Sequence, residues 1–368
     1  MRVALTLEQC WHTVPGGVAA YGNGLAGALA ARGDVEVIGV AARHPDPPAP
    51  AWAPPVPIRH FRLGRPALYT AWHLVRRPRL EVATGPVDVA HATVTMVPGS
   101  NAPLVVTMHD LAAAVRPDFL PRRAGHYARR GIAQARRHAA GVVCVSEFTR
   151  DACLEAGFAT DRLFVTSPGV DAERASADDV AKARAVHGLD RPYVLWTGTV
   201  EPRKNLPGLL GAWRRLRSDG SAGERELVLV GPAGWREDID GLLGSDRASV
   251  RVLGFVPVAE RRAIYAAADA LCYPSFLEGF GLPVAEAMAQ GTPVVTSSGT
   301  ATAEVGGDAA VLVDPDDVDD IARGLAAVLA ESPAERQARS RRGLARASHF
   351  TWEACAERTV EVYRAVMA

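Results

Sequence analysis

The sequence is poor in cysteine, has no long apolar run, and shows no excess of either charge. Its five cysteines, Cys10, Cys144, Cys153, Cys272 and Cys355, are scattered, odd in number and never spaced as C-x-x-C. That pattern argues against a disulfide framework or a zinc site and fits a reducing compartment. No window approaches the roughly eighteen apolar residues of a membrane-spanning helix. The start, MRVALTLEQCWH, has an apolar run too short for a secretory signal, and Glu8 interrupts it, so a cytoplasmic location is expected. Lys+Arg and Asp+Glu stand at 41 each, which gives no general basic excess for a nucleic-acid partner. No internal repeat of a solenoid or propeller kind is present.

What is there points to a two-domain soluble protein. A chain of 368 residues exceeds what one hydrophobic core supports. Its 48% hydrophobic and 22% charged content excludes disorder. The balanced charge hides an asymmetry. Met1–Asp171 carries 18 basic residues, all arginine, against 13 acids, a net of +5, and the remainder carries −5. Residues 58–80 hold six arginines and no acid, and residues 116–138 hold seven arginines and one aspartate. Two readings fit: a solvated helix face, or an anionic partner such as a phosphorylated acceptor or a membrane surface.

Short β-rich runs alternate with amphipathic ones. VALTL (3–7), VEVIGV (35–40), DVAHA (88–92), PLVVTMH (103–109), GVVCVS (141–146) and LFVTS (163–167) read as strands of the first half. YVLWTG (193–198), ELVLVG (226–231), VRVLG (250–254), ALCYPS (270–275), PVVTS (293–297) and AVLVD (310–314) read as strands of the second. Runs without strict alternation suit parallel sheets buried on both faces, so two parallel α/β sheets in series are expected. Helical periods lie between them, for example at 206–218 and 258–269. The proline-rich HPDPPAPAWAPPVP (44–57) reads as a mobile loop without regular structure. A domain boundary is expected near SPGVDAERASADD (167–179). The last segment, from Phe350, is one more helix that needs a surface for Phe350 and Trp352.

Several motifs carry chemistry. GNGLAG (22–27) fits G-x-G-x-x-G, but it falls inside a helical pattern instead of directly after the first strand. The acids Asp34 and Glu36 come too early for the ribose contact, so a dinucleotide role is rejected in favour of close packing. Gly16 and Gly17 stand at a helix N-terminus, where backbone N–H groups can approach a phosphate. In SFLEGFGLPVAEAMAQGTPVVT (275–296), Pro283 suits a helix first turn, so a helix begins near Leu282. Glu278 then lies just before that N-terminus and Glu286 about one turn inside, with Gly279 and Gly281 leaving backbone N–H groups exposed. Arg203 and Lys204 follow the strand YVLWTG, and His109 and Asp110 end the strand PLVVTMH, all at strand carboxyl ends where such sheets bind ligands. Each has an ordinary reading alone: a helix cap, a solvated cation, an incidental pair. Together they suit a ligand with both hydroxyls and phosphate, a nucleotide sugar.

Over nearly its whole length the chain resembles the glycosyltransferases of family 4. The resemblance rests on PGGV, MHDL (108–111), CVSEFTRD (144–151), SPGVD (167–171), GTVEPRKN (198–205), GFV (254–256) and EGFGLPVAEAMAQGTPVV with its E-x7-E spacing. EVGGDAAVLVDPDD (304–317) and FTWEACA (350–356) complete it. It implies the GT-B fold, two Rossmann-like parallel-sheet domains facing a cleft. Residues 1–172 would form the acceptor-side domain, joined by a returning C-terminal helix, 350–368, and residues 173–349 would bind the donor. It also implies that Glu278 holds donor-sugar hydroxyls, Glu286 the ribose, and Arg203 and Lys204 the diphosphate. Phe280, Gly281 and Leu282 would contact sugar or phosphate, with Gly16 and Gly17 closing on the diphosphate. His109 would lie near the transferred sugar, with Asp110 orienting it or the acceptor.

The activity implied is retaining transfer of a hexose from a nucleoside-diphosphate sugar, GDP-mannose favoured and UDP sugars the alternative. Base recognition falls around residues 231–256. The acceptor is a glycan, a lipid-linked or a small molecule, and peripheral contact with an anionic membrane is a further expectation. No cofactor and no metal is expected: the D-x-D within DPDDVDD (314–320) opens a helix, where acids cap. The rival readings are a GT-B epimerase or phosphorylase, a non-catalytic nucleotide-sugar binder, and a dehydrogenase, which the misplaced glycines already disfavour.

Overall fold

Aliphatic runs that do not alternate become strands buried on both faces, and here they assemble into two all-parallel sheets flanked by helices. The computed structural model describes residues 1–232, 234 and 238–368. The chain divides into two compact units, Met1–Gly169 with Thr351–Ala368, and Val170–Phe350.

In the first unit the strands are β1 (Arg2–Thr6), β2 (Glu36–Arg43), β3 (Ile58–Gly64), β4 (Val89–Ala92), β5 (Leu104–Met108), β6 (Gly141–Cys144) and β7 (Leu163–Val165). Their order is β3-β2-β1-β4-β5-β6-β7. β3 is the strand that sequence reading passes over. Arg59, His60, Arg62 and Leu63 are exposed and only Phe61 is fully buried, so this sheet edge reads as a charged segment. The proline-rich segment is not a free loop. It contains a 3-10 turn, Pro50–Trp52, Trp52 and Val56 are buried, and Asn23 Nδ2 donates to Trp52 O at 3.1 Å.

The helix Trp352–Met367 belongs to this first unit. Thr351 caps it, and Trp352 lies over Gly24 and Gly169, where an added Cβ would come within 2.3 Å of Trp352 atoms. The glycines of GNGLAG therefore serve packing inside helix Gly16–Ala31. A buried polar chain continues the attachment: Tyr363 OH lies 2.6 Å from His91 Nδ1, and His91 Nε2 lies 2.8 Å from Thr107 Oγ1.

In the second unit the strands are β8 (Tyr193–Thr197), β9 (Glu226–Val230), β10 (Val250–Gly254), β11 (Ala270–Tyr273), β12 (Val294–Ser297) and β13 (Val311–Val313), ordered β10-β9-β8-β11-β12-β13. Helices Leu206–Ser218, Val258–Ala267 and Leu282–Ala289 follow three of them. Asp317, in the acidic run, caps helix Val318–Leu329 by accepting from Asp319 N and Asp320 N. In both sheets the strand order reverses once, between β1 and β4 and between β8 and β11. Such reversals open a crevice at the strands' carboxyl ends, because the connections leave in opposite directions.

Candidate active site

β8 and β11 are neighbours, so the loops leaving their carboxyl ends run side by side. After β8 the chain forms a 3-10 turn, Pro202–Lys204, closed by Asn205 in the left-handed region at φ 52°. Asn205 caps the next helix and donates through Nδ2 to Pro274 O at 3.0 Å, while Phe276 N donates to Arg203 O at 2.9 Å. The two loops are thereby stitched together, and Glu278 meets two cations far away in sequence. It accepts from Lys204 Nζ at 2.6 Å, Tyr273 OH at 2.9 Å and Arg203 Nη1 at 3.0 Å. Lys204 Nζ also donates to Tyr273 OH at 2.5 Å, and Arg203 Nη2 donates to Glu201 Oε1 at 2.8 Å.

Lys204 and Glu278 are only 8% and 5% exposed, which rules out solvated loop cations. Two cations, Arg203 and Lys204, face two buried carboxylates, Glu201 and Glu278, and the cluster is neutral as it stands. Burial works to raise the Glu278 carboxyl, but the Arg203 and Lys204 charges overcome it and hold it at about 2. Burial and the adjacent Arg203 pull the Lys204 ammonium below its usual range, and Glu278 and Glu201 oppose that pull.

Helix Leu282–Ala289 begins where the sequence pattern puts it, with Pro283 in its first turn. Its cap, Gly281, needs to be glycine twice over: φ is 100°, and a Cβ there would lie 2.6 Å from Thr302 Cγ2. Among the described residues, the backbone N–H groups of Phe280, Gly281 and Leu282 donate to no carbonyl, and Gly279 precedes them in the same loop. Glu286 stands in a second polar cluster. It accepts from Arg261 Nη2 at 3.1 Å and Tyr265 OH at 2.8 Å, and Tyr265 OH lies 2.9 Å from Thr197 Oγ1 at the end of β8. Glu201, Tyr273, Arg261 and Tyr265 were all missed by sequence reasoning. The available signals were Glu201 two residues before Arg203, and the four-residue spacing that puts Arg261 and Tyr265 on one helix face. Within residues 231–256, positions 233 and 235–237 lie outside the described residues.

In the first unit, His109 follows β5 and its Nε2 lies 2.9 Å from Thr93 O. A carbonyl only accepts, so Nε2 carries the proton and Nδ1 the lone pair of the neutral ring. Burial lowers its pKa, against the Thr93 carbonyl and Asp110, which favours that neutral ring. Asp110 Oδ1 accepts from Ala112 N at 2.9 Å and turns the chain into the next short helix. Gly16 and Gly17 are exposed at the start of their helix, and Gly16 takes φ 63°. A further group at the carboxyl end of β1 escaped sequence reading. Glu8, 2% exposed, accepts from Ala42 N at 2.7 Å and lies 2.9 Å from His44 Nε2, and the His44 ring stacks on Trp11 at 4.9 Å. The acid that interrupts the first apolar run was its only signal.

Residues 15–174 match the family model described as Glycosyltransferase Family 4, and residues 191–331 match that of Glycosyl transferases group 1. The O-antigen chain mannosyltransferase B of Escherichia coli is 34% identical over 267 residues, covering 71% of this chain and 70% of that protein. A D-inositol 3-phosphate glycosyltransferase of Xylanimonas cellulosilytica is 30% identical over 402 residues, covering 97% and 93%. The match to its counterpart in Nocardia farcinica spans 62% of that relative's length. Among solved structures, sucrose-phosphate synthase from Thermosynechococcus elongatus superposes with a TM-score of 0.77 at 22% identity, covering 99% of this chain and 98% of that one. WaaG, a glycosyltransferase involved in lipopolysaccharide biosynthesis, gives 0.72 at 20% identity, covering 98% and 99%. These likenesses define the class, a glycosyltransferase of GT-B architecture with two Rossmann-like domains. The chain belongs to glycosyltransferase family 4. Among the described residues, no helix is long and apolar enough to cross a membrane.

Proposed function

We propose that the chain moves a hexose from a nucleoside-diphosphate sugar, GDP-mannose foremost, to a hydroxyl of a glycan, lipid-linked or small-molecule acceptor, with retention of configuration. The buried cluster of Arg203, Lys204, Tyr273 and Glu278 between the β8 and β11 loops carries this reading. Cations beside a carboxylate are what a diphosphate beside sugar hydroxyls requires. As the donor enters, its diphosphate takes over the Arg203 and Lys204 donors, and Glu278 turns its freed oxygens to the sugar hydroxyls. The N–H groups of Phe280 to Leu282 face the same donor, and Glu286 accepts from the ribose. His109, Asp110, Gly16 and Gly17, all at the carboxyl end of the first unit's sheet, keep the roles implied by the family resemblance.

In the transfer, the bond from the anomeric carbon to the donor phosphate oxygen breaks and the acceptor oxygen bonds to that carbon on the same face. The acceptor's proton passes to the departing phosphate oxygen. Arg203 and Lys204 stabilise the charge that builds there, so no metal is invoked. EDTA then leaves transfer intact, and inhibition reversed by Mn²⁺ refutes that part. The relative named O-antigen chain mannosyltransferase B supports mannose as the sugar.

The test is thermal stability with GDP, UDP, dTDP, ADP and NAD in turn. A ligand at 100 times its dissociation constant adds about 2.7 kcal/mol of stability. GDP is expected to give that shift. A shift with UDP alone overturns the GDP assignment, and no shift with any nucleoside diphosphate overturns the donor site.

A further inference from the structure

At the other end of the first unit's sheet from His109 and Gly16, a hollow of about 600 Å³ is lined by Arg76, Arg77, Arg79, Arg130, Arg137 and His138. Its walls are segments that precede strands: Gly99 and Ser100 lead into β5, and helix Arg122–His138 leads into β6. The hollow therefore sits at the amino ends of parallel strands, whereas the candidate active-site groups sit at carboxyl ends.

Its backbone is held in place before any ligand arrives. Arg76 is left-handed at φ 53°, Arg79 forms a bridge with Gly99, and Leu80 N donates to Gly99 O at 3.0 Å. A Cβ at Gly99 would lie 2.1 Å from Arg76 O, so the close approach of the two segments depends on glycine.

Among the described residues, the arginines of this hollow form no ion pair. Arg76 Nη2 donates to Pro98 O at 2.9 Å, Arg79 donates to the Asn101 side-chain oxygen, and Arg130 Nε donates to His73 O at 2.9 Å. The guanidinium groups of Arg77 and Arg137 have no hydrogen bond or ion pair among the described residues. The nearby Glu81 spends Oε1 on Ser100 Oγ and on the backbone N–H of Asn101 and Ala102. Arginines outside the hollow often meet a carboxylate, as Arg2 and Arg32 do in the same unit and Arg225, Arg262 and Arg339 in the other. Like charge is felt within the hollow, where burial and then Arg79 lower the Arg76 pKa, and burial, Arg76 and Arg137 lower that of His138.

We propose that this hollow is a second anion site, binding a phosphate or diphosphate group distinct from the donor. Guanidinium forks match phosphate oxygens, and a preformed ring of them without carboxylates is already complementary to a dianion. Leu74 and Val75 stand on its rim at 58% and 64% exposure. The same phosphate chemistry thus has two sources, a soluble phosphate or a lipid headgroup whose apolar boundary accepts the two aliphatic side chains.

The test uses the full chain and the double variant Arg77→Gln/Arg137→Gln, which loses no bond seen in the structure. Inorganic pyrophosphate is titrated calorimetrically, and phosphatidylcholine vesicles with and without phosphatidylglycerol are used in co-sedimentation. Pyrophosphate can also meet Arg203 and Lys204, so the difference between wild type and variant isolates the hollow. A loss of about tenfold per guanidinium is expected, with weaker binding as salt rises and an unchanged thermal shift with GDP. Loss of pyrophosphate binding supports the soluble source. Loss confined to anionic vesicles, reproduced by Leu74→Asp, supports the lipid source. Equal binding of both probes by wild type and variant at low salt overturns the proposal.

Discussion

Replacing Glu278 by glutamine keeps the side-chain shape and removes one charge from a cluster that is neutral as it stands. Arg203 retains Glu201 Oε1 and Leu277 O, and the amide oxygen can still accept from Lys204 or Tyr273. Breaking a buried pair costs about 3–5 kcal/mol. With those partners retained, the lower figure of about 3 kcal/mol is expected, a fall in Tm of roughly 6–12 °C for a unit of this size. Free nucleoside diphosphate should respond the other way. The variant leaves one positive charge uncompensated where the diphosphate binds, so GDP should bind about tenfold more tightly. Turnover should nevertheless fall by about two orders of magnitude, because the acceptor for the sugar hydroxyls is gone. Calorimetric titration of GDP, a melting scan and an initial-rate assay measure the three quantities on one preparation. An unchanged Tm with GDP binding weakened tenfold would refute the reasoning, since Glu278 would then not be the group neutralising Arg203 and Lys204.

Lys204→Ala should lower turnover at saturating donor by about two orders of magnitude, and near-normal turnover removes Lys204 from the reaction. Gly281→Ala should destabilise by about 1–3 kcal/mol from its positive φ, beyond any clash with Thr302. Adding Thr302→Ser relieves only the clash, so full recovery of Tm in the double variant contradicts the strain argument. Burial, aided by His109, depresses the His91 pKa from 6.5 to about 3. The folded state therefore favours the neutral ring, with stability complete above pH about 6.5 and lost progressively as pH falls towards about 3. His91→Gln should flatten that acid limb by one proton, and an unchanged limb assigns it to other groups. Glu278 adds a later acid loss, between about 4.5 and about 2, as its carboxylate takes a proton and releases the two cations.

Much of this architecture was legible because buried parallel strands leave a signature of their own. Runs such as YVLWTG and ELVLVG carry no alternation to misread, and the strands they predict differ from the observed ones by a residue at the ends. β3 was illegible for the complementary reason: an edge strand with only Phe61 fully buried looks like any charged segment. At the site, Pro283 alone placed the helix start correctly at Leu282 by a local rule. Local rules could not show that Glu278 would be joined to Arg203 and Lys204, or that Tyr273 would bridge them, because that contact arises from the β8–β11 strand order. Likewise nothing near Glu8 in the sequence announces His44, which reaches it only because β1 and β2 pair in parallel.

The net charge of zero conceals two different uses of arginine. In the second unit, the cations nearest the proposed donor site arrive already paired, Arg203 with Glu201 and Glu278, and Arg261 with Glu286. A diphosphate can displace such a pair only by offering more charge than the carboxylate it replaces. That favours a diphosphate, whose two phosphoryl groups can meet both cations at once, over a single phosphoryl group, and it lets Arg203 and Lys204 return to Glu278 when product leaves. The hollow of the first unit has no such exchange to make, since the Arg77 and Arg137 guanidinium groups have no partner among the described residues. Binding there should depend on salt and on total anionic charge with little regard to the ligand's hydroxyls. At the Glu278 cluster, affinity should depend on the hydroxyls as well, so a nucleotide sugar and its sugar-free diphosphate should separate the two sites. Glu278→Gln should narrow the difference between those two ligands, and Arg77→Gln/Arg137→Gln should leave it unchanged. The opposite pattern would mean that the pairing seen at Glu278 does not govern how the donor is held.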